Sequence, residues 1–385
     1  MFRTWPVSWY VMFGLAGWGV PAIVILGPAA AAYSLLAVLP ILFFCWNDRR
    51  TLLEATARDD ADPKWLSADI SIGLMAVAVL FTLYDAAFGK QMLTQNVFLN
   101  PNAVDVTIAK TDAEVGQGRS LVNLIGDLMV FMPFVLVDLA RRSQTRFRLG
   151  MMAVAALCIF YQSGASRGML LMSAFALFAG SGRLTLFRLI VGGTVALGLY
   201  EVASIMRGDM ATTQYSNPMA DSVIWPFINL GMLNDASCGN GTVPGFIGQF
   251  LQKFLPGFLV HKSVFSFNVE MTLCIYPSDD GSFESVSVYT WLGEMIYYRP
   301  SLAVALVAGV IAAAELRLVN AVLNALQLPA TRIFVGLMCI YMLRSRIQDI
   351  YSYLLLLLIF GTIVLTPRIV AHMTTMRSRL RPVPT

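Results

Sequence analysis

From Val7 to Leu26 the chain runs through twenty residues without one charge, and a second charge-free run extends from Ala29 to Trp46. A hydrocarbon core about 30 Å thick needs roughly 20 apolar residues per helix, so each run predicts a helix that crosses a bilayer. Further predominantly apolar runs lie at Asp69 to Phe88, Leu121 to Leu139, Leu149 to Tyr161, Met169 to Gly180 and Leu184 to Met206. Three more follow at Ser301 to Val319, Ile333 to Leu343 and Ile350 to Thr366. The expected fold is all-α, a polytopic membrane protein of about ten spans, the shorter ones completed by tilt. The join at Gly27-Pro28 is read as a turn; as a kink it would lower the count to nine and move the amino terminus outside.

Composition agrees. Only 13% of the 385 residues are charged, against about a quarter in soluble domains. No hydrophilic block is long enough to make a soluble domain. The pI near 8.8 is not a nucleic-acid signature, because the basic residues sit in short clusters between apolar runs.

Those clusters set the sides through the positive-inside rule. Arg49, Arg50, Arg58 and Lys64 share one side with Arg141, Arg142, Arg146 and Arg148, with Arg183, Arg188, Arg317 and Arg332, and with both tails. This richer side is expected to be cytoplasmic, with both termini on it. No small-residue cleavage pattern follows Met1-Phe2-Arg3, so a bacterial inner membrane without a cleaved signal is expected. The chain then divides into amino-terminal spans (1–206, with a short outer loop at 89–120), a large outer loop (207–300) and carboxy-terminal spans with a tail (301–385). A stretch such as Phe246 to Val260 in the large loop is apolar enough to lie at the interface as an amphipathic helix. No internal repeat is visible, which counts against an inverted-repeat transporter.

Three of the five cysteines, Cys45, Cys158 and Cys339, fall in spans. Cys238 and Cys274 share the large loop, where an oxidising compartment permits a disulfide. No metal-ligand spacing occurs, and His261 and His372 are the only histidines. Asp127 and Glu201 stand out as ionisable residues inside spans, where they are costly unless paired.

The arginines that break the charge rule are the informative ones. Arg119, Arg167, Arg207, Arg299, Arg344 and Arg346 all sit at or near outer span ends. Each has an ordinary explanation in snorkelling or in pairing with a carboxylate. Together they suit a lipid-linked phosphate or pyrophosphate, since the guanidinium fork matches two phosphate oxygens at once. Arg167 follows Ser163-Gly164-Ala165-Ser166 at a helix start, where backbone amides and the dipole favour an anion. Arg207 is followed by Asp209, which could simply neutralise it. Arg344-Ser345-Arg346 and Asp349 occupy a very short outer hairpin, where Asp349 is placed to hold one arginine and leave the other for ligand.

With these residues in view, the chain resembles the bacterial O-antigen or oligosaccharide repeat-unit polymerases, the Wzy-type family. The resemblance rests on Ser166-Arg167-Gly168, on the large outer loop with Leu255-Pro256 in its middle, on Gly293-Glu294, and on the Arg344 to Asp349 hairpin. It covers about residues 120 to 366, mostly as layout. It implies a GT-C-like, membrane-embedded glycosyltransferase that moves a glycan from undecaprenyl pyrophosphate onto a lipid-linked oligosaccharide repeat unit at the periplasmic face. It implies no cofactor and no metal, with membrane lipids as surroundings and a chain-length regulator and a flippase as candidate partners.

In that chemistry an acceptor hydroxyl attacks the anomeric carbon while negative charge grows on the leaving pyrophosphate. Arg167, Arg207, Arg299, Arg344 and Arg346, with Asp349, are the candidate binding residues. The acceptor needs a proton acceptor; Glu294 and His261 are the leading candidates, with Asp349 and Asp209 behind them. In the family pattern Gly293-Glu294 can instead support the arginines. Trp225, Phe227, Tyr289, Trp291, Tyr297 and Tyr298 could stack on sugars, but an interfacial belt is the simpler reading. The competing functions are an O-antigen-type ligase, which differs in its acceptor, and a transporter of lipid-linked sugars.

Overall fold

The computed structural model describes residues 5–48, 68–88, 130–142, 147–163, 167–180, 218–236, 241–254, 289–344, 346–351 and 353–362, with isolated positions between them. The chain begins with α1 (Val7–Leu26) and α2 (Pro28–Cys45). Gly27 joins them at φ 61°, ψ −147°, a backbone state that glycine reaches without a Cβ penalty. Pro28 then opens α2 at a position where its missing N–H costs nothing. Gly19 lies against Ser34, and Asn320 bonds both Ser8 and Asp48, so the two helices fold back on each other. The Gly27-Pro28 join is therefore a turn.

Next come α3 (Ala68–Phe88), α4 (Met132–Arg142), α5 (Phe147–Ser163) and α6 (Arg167–Gly180). The expected large loop contains α7 (Pro218–Asp235), β1 (Gly241–Thr242), α8 (Val243–Phe254) and α9 (Thr290–Tyr297), ending on β2 (Tyr298–Arg299). β1 and β2 pair in parallel, Gly241 with Tyr298 and Thr242 with Arg299. The chain continues through α10 (Ser301–Leu326) and α11 (Pro329–Met342) into α12 (Ile347–Thr362).

Among the described residues, α1, α2 and α10 are long and apolar enough to cross a membrane, which marks a helical membrane protein. Shorter apolar helices lie within α3 and α5 and along α11 and α12; α11 packs on α1, while α3 and α5 pack on each other and on α4, which also meets α11. The span expected at 184–206 lies outside the described residues apart from isolated positions. Large apolar side chains on the bundle perimeter stay uncovered: Val24 is 91% exposed, Phe43 80% and Leu149 81%. Only a hydrocarbon solvent makes such a perimeter favourable, because lipid tails are as apolar as the side chains.

α10 is the central element, packed along α2 and touching α1. At the crossing with α2, Gly309 lies so close to Ala37 that an added Cβ would meet the Ala37 carbonyl oxygen. Small residues allow such approaches in membrane bundles. Gly309→Ala is accordingly expected to lower the thermal midpoint of the solubilised protein, by overpacking worth about 1–3 kcal/mol. Gly73→Ala, on α3 where a methyl meets nothing within 4 Å, should leave the midpoint unchanged. Equal midpoints for the two variants would contradict the close crossing.

The bundle has two polar ends. At one, the Asn320 side chain accepts the Val7 N–H at 2.9 Å and donates to the Ser8 hydroxyl and the Asp48 carboxylate. Nearby at the chain level, Asp138 of α4 caps α11, accepting the amides of Ala330 and Thr331, both at 3.0 Å, and the Thr331 hydroxyl at 3.1 Å. The amides at a helix start have no intrahelical acceptor, and these carboxylate oxygens supply one. At the other end, Trp18 donates its indole N–H to the Ile340 carbonyl at 3.0 Å. This second end carries α9, β2 and the hairpin between α11 and α12.

Candidate functional site

The hairpin begins where α11 runs out. Leu343 caps α11, and the chain re-enters helix at Ile347, directly after Arg346. Asp349 in the first turn of α12 binds Arg346 through both carboxylate oxygens, Nη2 to Oδ1 at 2.6 Å and Nε to Oδ2 at 3.2 Å. The Arg346 and Asp349 side chains are 23% and 20% exposed, so this is a largely enclosed, two-point pair. Asp349 also sits where the helix dipole favours an anion.

Glu294 of α9 completes the enclosure. Its side chain is 1% exposed, and Oε2 accepts the Ile347 N–H at 2.8 Å and the Gln348 N–H at 3.4 Å. Its charge also reaches Arg346 and Tyr298. Burial works against the Arg346 charge, but Asp349, Glu294 and the Tyr298 oxygen outweigh it and raise its pKa. Burial, and then the charges of Glu294 and Tyr297, pushes the Tyr298 hydroxyl far above its ordinary range despite the pull of Arg346. Near neutral pH the cluster thus holds a charged Arg346 beside a neutral phenol.

Arg344 is held differently. It is half-buried, with its guanidinium carbon 4.5 Å from the centre of the Tyr341 ring, a cation–π contact. Among the described residues it has no carboxylate partner. Asp349 therefore holds Arg346 and leaves Arg344, as the sequence allows for one of the two.

α8 covers this cluster from the large loop. Phe246 meets Tyr298 edge to face at 5.3 Å, and Phe250 meets Tyr351 at the same distance. The stretch expected as an interfacial helix is thus helical at Val243–Phe254, with its aromatic face packed on protein. Tyr351 in turn donates its hydroxyl to the Ala308 carbonyl at 2.8 Å, joining α12 to α10.

The remaining candidates are placed as follows. Arg299 is exposed on β2, next to Tyr298. Arg167 opens α6, which packs on α11; its side chain lies outside the described residues. Arg207 and His261 also lie outside them. Cys274 is disulfide-bonded, while Cys238, the expected partner, is outside the described residues. Cys45, Cys158 and Cys339 are free thiols in the bundle.

One expectation changes. Tyr289 and Trp291 are 0% exposed, Tyr298 2% and Tyr297 7%; these aromatics form neither a lipid-facing belt nor an open sugar platform, but fill the core beneath the hairpin. Asp127 and Glu201 lie outside the described residues; among those described, Asp138 and Glu315 are ionisable residues within helices, 1% and 6% exposed. For Asp138 the signal was present as a lone acid in the apolar run Phe134-Val135-Leu136-Val137. Comparison with family models, curated proteins and solved structures returned no match to this chain.

Proposed function

We propose that this chain is a repeat-unit polymerase, a membrane-embedded glycosyltransferase that works at the outer membrane face on undecaprenyl pyrophosphate-linked glycans. The observation that carries the reading is the division of labour in the hairpin. Asp349 holds Arg346, with the Glu294 charge acting on it, while Arg344 stacks on Tyr341 without a carboxylate partner among the described residues. An arginine braced by an aromatic ring presents its fork to an incoming pair of phosphate oxygens. The largely enclosed Arg346, two residues further along the hairpin, adds a fixed positive charge that suits the negative charge growing on the departing pyrophosphate.

The assignment of sides draws on two independent features. The Asn320 end neighbours the richer basic clusters, including Arg317, Arg332 and Arg141, and fits the cytoplasm. The disulfide at Cys274 fits an oxidising compartment for the loop that covers the hairpin.

In this mechanism the glycan is the group transferred: the acceptor hydroxyl oxygen bonds to the anomeric carbon as the bond to the pyrophosphate oxygen breaks. The arginines stabilise the leaving anion, and the acceptor proton passes to a base. Glu294 is poorly placed for that step, because its carboxylate is buried and bonded to backbone amides. His261 is then the stronger of the two leading candidates.

Purified full-length protein supplied with a lipid-linked oligosaccharide repeat unit in detergent is expected to make longer glycans, with chelator present or absent. Products can be resolved by gel mobility and mass. Single-repeat glycan left unchanged would reject the polymerase. Transfer only to an added lipid A core would favour the ligase instead.

A further inference from the structure

α9 grips the arginine hairpin on both shoulders. The Trp291 N–H donates to the Leu343 carbonyl at 2.9 Å, the residue that caps α11. Three residues later, Glu294 Oε2 accepts the first amides of α12, from Ile347 and Gln348. The three residues between these anchors, 344 to 346, include both hairpin arginines. One short helix therefore fixes where α11 ends and where α12 begins, and with them the origin of the Arg344 side chain.

The carboxylate suits this task. It stands at the positive end of α12, where a negative charge is favoured, and its field acts on Arg346 and Tyr298. Tyr298 follows α9 directly and is packed under Phe246 of α8. The clamp is thus continuous with the cover over the site.

We infer that Glu294 is a positioning residue: through the Ile347 and Gln348 amides it sets the hairpin so that Arg344 meets the pyrophosphate, and it does not take the acceptor proton. This rests on the proposed function for the identity of the ligand, while the clamp itself is a property of the fold. A displaced guanidinium loses most of its two-point contact, since a misplacement of about 1 Å can cost on the order of a hundredfold in rate.

The test compares Glu294→Gln and Glu294→Ala in the full chain, purified in detergent. A glutamine carbonyl oxygen still accepts the two amides; alanine accepts neither. Two quantities are read: hydrogen-exchange protection over 347 and 348, and binding of undecaprenyl pyrophosphate by native mass spectrometry. Glu294→Ala is expected to lose the protection and to weaken binding about tenfold or more, the scale of losing a charge-assisted bond. Glu294→Gln should retain protection, and binding within about threefold of the unaltered chain, since its replacement bond is neutral but formed.

Full protection in Glu294→Ala would overturn the clamp. Intact binding and protection in Glu294→Gln together with abolished elongation would overturn the positioning role and make Glu294 the base. Failure of the unaltered protein to bind undecaprenyl pyrophosphate would overturn the proposed function and the ligand named here. The protection pattern would still decide whether Glu294 holds the hairpin.

Discussion

Arg344→Ala is expected to cut glycan elongation by at least about a hundredfold, the scale seen when one fixed donor to a developing anion is removed. It should do so without loss of folded protein. Arg344 is half-buried, stacks on Tyr341 and donates its own N–H to the Tyr341 carbonyl at 3.1 Å; the backbone bond survives truncation. Arg344→Lys keeps the charge but not the planar fork, so it should fall between alanine and the unaltered chain. Arg346→Ala is expected to behave differently. It strips the counter-charge from Asp349 and from the buried Glu294, so folded protein should fall together with activity. Quantified membrane accumulation beside elongation separates the two. Full elongation by Arg344→Ala would remove Arg344 from the mechanism.

Asp138→Ala should produce the largest loss of stability that the described residues predict. The carboxylate is 1% exposed and accepts three hydrogen bonds at the start of α11. Alanine leaves the Ala330 and Thr331 amides and the Thr331 hydroxyl without that acceptor, at about 1–3 kcal/mol for each stranded buried group. Relaxation will recover part of this, so a total of about 3–4 kcal/mol is expected by comparison with other buried partners removed singly. Asp138→Asn keeps one acceptor oxygen and should recover a substantial part. Thermal unfolding of both variants in the same detergent checks the order. An alanine variant as stable as the unaltered protein would mean that α11 does not depend on this cap.

The helical membrane character was legible because a charge-free run as long as Val7–Leu26 has few other solutions. The turn at Gly27-Pro28 was legible for a local reason: glycine admits the positive φ and proline starts the next helix. Helix ends inside apolar runs were less so. α10 continues past the expected Val319 to Leu326 because Asn320, polar in isolation, is satisfied by Ser8, Asp48 and the Val7 amide. No local pattern announces partners more than 270 residues away.

The site divides along the same line. The Arg346–Asp349 pair spans three residues and could be anticipated from spacing. The bonds from Glu294 to Ile347 and Gln348 could not, because they depend on how α9 packs against the hairpin. The β1–β2 pairing is only two residues long on each side, far too short to leave an alternating pattern. Aromatics near span ends, such as Trp291 and Tyr298, read as an interfacial belt because they often serve there; their burial comes from packing of α9 on α7 and α10 and of α8 on β2, which composition does not place.

The position of Asn320 has a consequence for how the protein is made. The α1–α2 hairpin leaves the ribosome early, yet the side chain that ties its two free ends together is 313 residues downstream of the Val7 amide it accepts. At about 5–20 residues per second, synthesis leaves that hairpin waiting roughly 15–60 s in the bilayer before its partner exists. During this interval Ser8, Asp48 and the uncapped Val7 amide depend on water or lipid headgroups, and the surface of α2 that will receive Gly309 is open. A nascent chain that has not yet reached α10 therefore carries an unfinished polar seam, which the arrival of Asn320 closes.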